Sequence, residues 1–274
     1  MKNYHPSTPS RRHLTVVTYS LLTKGARPLK GLSKRLKKHA GRNNQGRITV
    51  RHQGGGNKIL YRLVDFKQDK FDIPAKLETL EYDPYRSAFI ARVIFVDGER
   101  RYILAPQGLK IGDKIISSAE APLVVGNRTQ LKRIPVGTFV YNVEVIKGRG
   151  GKLVRSAGSS AQVLANENGY TQIQLPSKET RKIPWDNYAS LGQLSNPEHN
   201  SITIGKAGRS RWLNIRPTVS GSAMNPRDHP YGGGEGRSKR GTKRPKTKWG
   251  KITGGHRTRN KKKWSNKFII KRRK

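Results

Sequence analysis

FIARVIFVDGERRYIL, residues 89–104, places two runs of β-branched, aromatic and aliphatic residues on either side of Asp97-Gly98. An Asp-Gly pair between such runs favours the positive φ values of a tight hairpin turn, so the stretch predicts two antiparallel strands. Outward from it the same grammar recurs. Phe139, Tyr141, Val143 and Val145 alternate with polar or smaller neighbours, as on a half-buried strand. Ala161 to Ala165 and Tyr170 to Leu175 flank Asn166-Glu167-Asn168-Gly169, a second hairpin, and Pro176 to Glu179 turns the chain into Thr180 to Ile183. Trp185 follows this last strand and is assigned to the core. Short strands with tight turns predict small antiparallel barrels or a sandwich. A charged segment at Ala119 to Arg133, with a Gly126-Asn127 turn, marks the expected boundary between two barrels, one larger sandwich being the alternative. Beyond Ser195 no periodic apolar stripe survives, and no packed helix or sheet is expected there.

Charge is sorted along the chain. No Asp or Glu precedes Asp65, while the same stretch holds 15 Lys and Arg. Residues 65–198 hold 19 bases and 15 acids, and from 199 onward 23 bases face only Asp228 and Glu235. The net charge of +40 therefore sits in two flanks around a nearly balanced centre. Such flanks repel themselves and need a polyanion to order against, and nucleic acid has the charge density. The absence of cysteine excludes disulfides and thiolate zinc sites. The longest apolar run, Phe89 to Val96, is interrupted by Arg92 and is too short to span a membrane. No cationic helix with an aromatic face can be drawn in either flank, which disfavours a membrane-surface role.

Two clusters invite a catalytic reading. GRNNQGR at 41–47 has the glycine spacing of a phosphate loop, but Arg47-Ile48 stands where Lys-Ser/Thr is required for nucleotide and magnesium. A backbone nest for RNA phosphates is the better expectation. Asp228-His229 suggests an acid–base dyad, yet no nucleophile or metal set accompanies it. The bland alternative has Pro226 and Pro230 stiffen a turn, Asp228 satisfy local donors and His229 meet a phosphate or base. His5, His13, His39, His52, His199 and His256 share no metal-ligand spacing. Trp212, Trp249 and Trp264 sit among bases, where a ring can stack on a nucleobase.

These blocks carry a resemblance. ArgArgHis at 11–13, GRNNQGRIT at 41–49, RHQGGGNK at 51–58, YRLVDFK at 61–67, EYDPYRSA at 81–88 and DGERRYILAPQGLKIGD at 97–113 are its first half. IPVG at 134–137, RSAG at 155–158, GKAGRSRW at 205–212, RPTVSGSAMNPRDHPYGGGEGR at 216–237 and FIIKRRK at 268–274 complete it. Together they resemble, end to end, the universal large-subunit ribosomal protein "L two" family in its bacterial form. The resemblance implies a mainly β chain: an extended basic arm over 1–64, an OB-like barrel over 65–125, an SH3-like barrel over 126–198 and an extended basic tail over 199–274. It implies binding to large-subunit rRNA near the peptidyl-transferase region. Support of subunit assembly, subunit association and tRNA binding follows, with peptidyl transfer left to RNA. The partners implied are rRNA, neighbouring ribosomal proteins and the small subunit, with no membrane. No cofactor is expected in the chain itself, magnesium being left to the surrounding RNA.

On this reading Arg42, Asn43, Arg47, Arg51, His52 and Lys58 meet rRNA from the first arm, with Gly54, Gly55 and Gly56 allowing close backbone approach. Arg155 does so from the centre. Lys206, Arg209, Arg211, Trp212, Arg216, Asn225, Arg227, His229, Tyr231 and Arg237 do so from the tail, beside Gly232, Gly233 and Gly234. His229 matches the histidine of the family's DHPHGGGEG motif. Tyr231 stands where the family usually has a second histidine, and Arg227 where it has valine, so no role can require two histidines in this loop. The ArgArgHis block lies near the family's own start, which leaves no room for a cleaved transit peptide. A bacterial cytoplasmic ribosome is expected, an organellar one being the alternative. The rival to a ribosomal role is a free RNA chaperone or nucleoid-type protein.

Overall fold

A computed structural model describes residues 1–236, 240–255 and 257–273. They fall into two units. The first takes residues 1–37, 58–207 and 267–274; the second takes 38–57 and 208–266.

The first unit is an OB-like barrel followed by an SH3-like barrel. In the first barrel Arg100–Leu104, Ile90–Phe95, Ala75–Glu81 and Lys114–Ile115 lie side by side in that order, all antiparallel. The hairpin expected at Asp97-Gly98 is present, with Ile90 opposite Leu104, Ile94 opposite Arg100 and Gly98 at φ 84°. Leu77, Phe89, Ala91, Val93 and Ile103 fill its core. The acids are occupied by the barrel's own bases. Arg101 Nη1 contacts Asp65 at 2.7 Å and Asp69 at 2.5 Å, its Nε contacts Glu99 at 2.6 Å, and the hydrogen bond from Arg101 holds the Asp69 carboxyl below the usual range.

In the second barrel the order is Ile269–Lys271, Thr180–Pro184, Tyr170–Gln174, Ala161–Glu167, Phe139–Tyr141, Tyr188–Leu191 and Arg128–Gln130. The second hairpin is also where expected, but its strands run up to Asn168-Gly169, so Asn166 and Glu167 belong to strand rather than turn. Leu131, Ile134, Val140, Val143, Val163, Ile173 and Ile183 form its core. The strand Arg128–Gln130 joins the barrels. One side pairs with Tyr188–Leu191, and on the other Arg128 exchanges hydrogen bonds of 3.0 Å with Ile116 and Ser118 of the first barrel.

Several expectations are corrected. The alternation at 139–145 predicts Phe139 facing inward, yet Phe139 is 52% exposed and Val140 is fully buried. Tyr141 and Val143 are buried as that reading predicts, but so are Asn142, at φ 48°, and Glu144, so no alternation holds over 140–144. Trp185 is half-buried at a strand end, and a further strand, Tyr188–Leu191, follows it. Part of residues 1–37 packs on the first barrel. Val17 is buried in its core with Leu22 packed beside it, Thr23 N donates to Leu80 O at 2.9 Å, and Ser33–Lys34 pairs with Tyr61–Arg62. Beyond Ser195 there is a short helix, Ala207–Trp212, and Ile269–Lys271 is a strand on the edge formed by Thr180–Pro184. Each spans fewer than two periods of the pattern that could reveal it.

The correction at Phe139 is testable by urea denaturation. Val140→Ala is expected to cost about 1.5–3 kcal/mol, and Phe139→Ala less than about 1 kcal/mol. The reverse ranking would restore the inward Phe139.

Candidate nucleic-acid interface

The second unit is built from two stretches with no acid before Asp228. They pair through backbone: Gly54 N donates to Asn214 O, Arg216 N to His52 O and Asn57 N to Trp212 O, each at 3.1 Å. Glycine is required where they touch. A methyl on Gly56 would lie 2.8 Å from the Asn214 backbone. Between the stretches lies a cavity of about 830 Å³ lined by Arg42, Arg51, Arg216 and Lys248, with Ile48, Val50, Val219 and Met224 as its apolar wall and Asp228 as its one acid. Cations beside exposed aliphatic surface suit a strand carrying both phosphates and bases.

GRNNQGR is not the expected nest. Asn43 Oδ1 accepts the N–H groups of Gln45 at 3.1 Å and Arg47 at 2.9 Å, Asn43 O accepts that of Gly46, and Asn43 N donates to Arg47 O. With those groups used internally the segment is a small hairpin, bridged from Arg42 to Ile48. The segment therefore offers an anion its side chains rather than those backbone N–H groups. Arg42 partly closes on Gly46 O at 2.8 Å, and Arg47 is exposed.

In the tail, Arg209 and Arg211 are half-buried, and the Nη1 atom of each is covered with no hydrogen-bond partner among the described residues. A covered guanidinium nitrogen without an acceptor is costly unless an anion meets it. Trp212 is exposed. Loop 221–236 is tightly closed. Asn225 O accepts from Asp228 N at 3.0 Å and His229 N at 3.2 Å, and Gly233 N donates to Met224 O. A methyl on Gly232 would lie 2.3 Å from Asn225 O, and one on Gly221 would lie 2.6 Å from the His229 ring.

His229 Nδ1 accepts the N–H of Tyr231 at 3.1 Å, and the two rings sit 4.8 Å apart. The neutral imidazole therefore carries its proton on Nε2, and Asp228 cannot orient Nδ1 as a catalytic dyad requires. Tyr231 Oη accepts from Lys246 N, and the Arg240 guanidinium lies 5.7 Å from the Tyr231 ring. So Tyr231 ties the loop to the next hairpin, whose tip carries exposed Trp249 beneath Lys248. Arg227 and Gly234 are exposed, the latter at φ 93°; Arg237 lies outside the described residues.

Arg155, expected from the centre, and Lys58 and Lys206, expected from the arms, fall in the first unit. Arg155 lies at a cavity of about 540 Å³ lined by Tyr61, Phe66, Tyr85 and Arg86. The Phe66 ring lies 4.4 Å from the Arg155 guanidinium and 5.5 Å from that of Arg86, and Tyr61 meets Tyr85 edge-on at 5.3 Å. Sequence reasoning passed over Arg86, Tyr85, Tyr61 and Phe66. The available signal was an aromatic and a base side by side, Tyr85-Arg86, immediately after the Asp83-Pro84 turn.

Residues 29–117 match the family described as "Ribosomal Proteins L2, RNA binding N-terminal domain", and residues 124–250 match "Ribosomal Proteins L2, C-terminal domain". The chain belongs to this ribosomal protein family. Its role is accordingly structural and non-enzymatic, in the ribosome, with RNA as partner. No helix among the described residues is long and apolar enough to cross a membrane.

Gly221→Ala is expected to destabilise the 221–236 loop by about 1–3 kcal/mol through overpacking against the imidazole. Limited proteolysis of that loop should rise in Gly221→Ala and fall back when His229→Ala is added.

Proposed function

We propose that this protein is a structural component of the bacterial-type large ribosomal subunit that binds large-subunit rRNA near the peptidyl-transferase region. There it supports assembly, subunit association and tRNA binding, while RNA carries out peptidyl transfer. The single observation that carries the reading is the pair of covered, unpartnered Nη1 atoms of Arg209 and Arg211, in a unit of the chain almost without acids. Phosphates are the acceptors that fit. Arg42, Arg51, Arg216 and Lys248 extend the same phosphate track, and His229 presents Nε2–H to a phosphate or base edge. Around Phe66 and Tyr85 the first unit offers stacking surface for an unpaired base, with Arg86 and Arg155 for its phosphate.

Hydroxyl-radical footprinting of large-subunit rRNA with the full chain should protect a discrete region. Uniform weak protection would favour the free RNA-chaperone alternative. Arg211→Ala should weaken binding about 10-fold and lower the slope of log affinity against log salt by about 1. Unchanged affinity and slope would remove Arg211 from the interface.

A further inference from the structure

Arg128 is a large, fully buried cation in the strand shared by the two barrels. Its Nη1 donates to the backbone oxygen of Asn142 at 2.9 Å and reaches Ser190 Oγ at 3.5 Å, whereas Nε and Nη2 meet no acceptor. Burial pushes its pKa down to about 10, with Glu144 the main opposing charge. A guanidinium held this way is a poor stabiliser, because much of its hydration is not replaced.

Its one strong bond leads outward. Asn142, left-handed at φ 48°, donates through Nδ2 to Phe66 O at 3.3 Å, and Gly151 N donates to the same oxygen at 2.9 Å. Gly151 O in turn accepts Arg155 Nη1 at 3.3 Å, and a methyl on Gly151 would lie 2.1 Å from Asn142 Oδ1. The links therefore run Arg128 to Asn142, Asn142 to Phe66, and through Gly151 to Arg155, ending where the Arg155 guanidinium lies over the Phe66 ring. We propose that Arg128 is a positioning residue for RNA binding, setting through Asn142 the placement of Phe66 and Arg155 while touching no RNA itself. This inference rests on the RNA-binding reading of that pocket.

The test uses the full-length chain and a labelled large-subunit rRNA fragment, with a melting curve for every variant. Arg128→Met should weaken binding about 5- to 10-fold, leave the salt slope unchanged and leave the melting temperature near that of the parent. Arg128→Lys, which keeps a donor for Asn142 O, should recover part of the affinity. Arg155→Ala should weaken binding and lower the salt slope, and adding Arg128→Met to it should cost less than Arg128→Met costs alone. Additive losses in the double variant, or full affinity in Arg128→Met, would overturn the inference alone. Full affinity in Arg155→Ala would overturn the pocket's RNA role and the inference with it. Should Arg128→Met fail to fold, Asn142→Gly keeps the left-handed backbone but removes the amide to Phe66. It must show the same non-additivity with Arg155→Ala, and additive losses there overturn the inference equally.

Discussion

Like-charge repulsion is the constraint on which the architecture depends. A chain of net charge +40 cannot collapse uniformly, so it folds where acids are available and leaves the remainder to a partner. The first barrel shows how this works at short range. Asp65, Asp69 and Glu99 converge on Arg101, and Glu78 on Arg92 and Arg100, so the barrel's surface is internally compensated. The second unit has no comparable set of acids, and its order comes from backbone pairing and glycine contacts instead.

This division explains the two kinds of basic surface. In the first unit, guanidinium groups are held against aromatic rings by segments outside the strands, as Arg86 and Arg155 are around Phe66. In the second unit, the arginines line an open cleft or lie with covered nitrogens lacking an acceptor. On the proposed reading the first surface is preorganised for bases and phosphates, and the second would gain its full set of partners only with a polyanion.

Much of this was legible in the sequence. Asp97-Gly98 and Asn168-Gly169 mark their hairpins because those turns demand residues that tolerate positive φ. The acid-free segments were visible by counting. The exposure of Phe139 was not, because residues 140–144 are buried on both faces and the inward run simply begins one residue later than the alternation suggests. Nor was the packing of residues 1–37, where Val17 and Leu22 enter the first barrel without a periodic stripe. In the interface, the basic and glycine-rich blocks could be read directly. The internal use of N–H groups by Asn43, and the meeting of Phe66 with Arg86 and Arg155 from three separate segments, are tertiary facts.

The strand Ile269–Lys271 changes what kind of polymer the tail is. Residues 208–266 leave the first unit after Ala207 and return to it at Lys267, and residues 38–57 likewise leave and return. Neither is an arm with a loose tip; both are bights, fastened at each end. A fastened bight has lost part of its chain entropy before any partner arrives, so less remains to be lost on docking. It also has no end to push through a gap. RNA that came to enclose such a bight would have to close around it rather than be threaded by it.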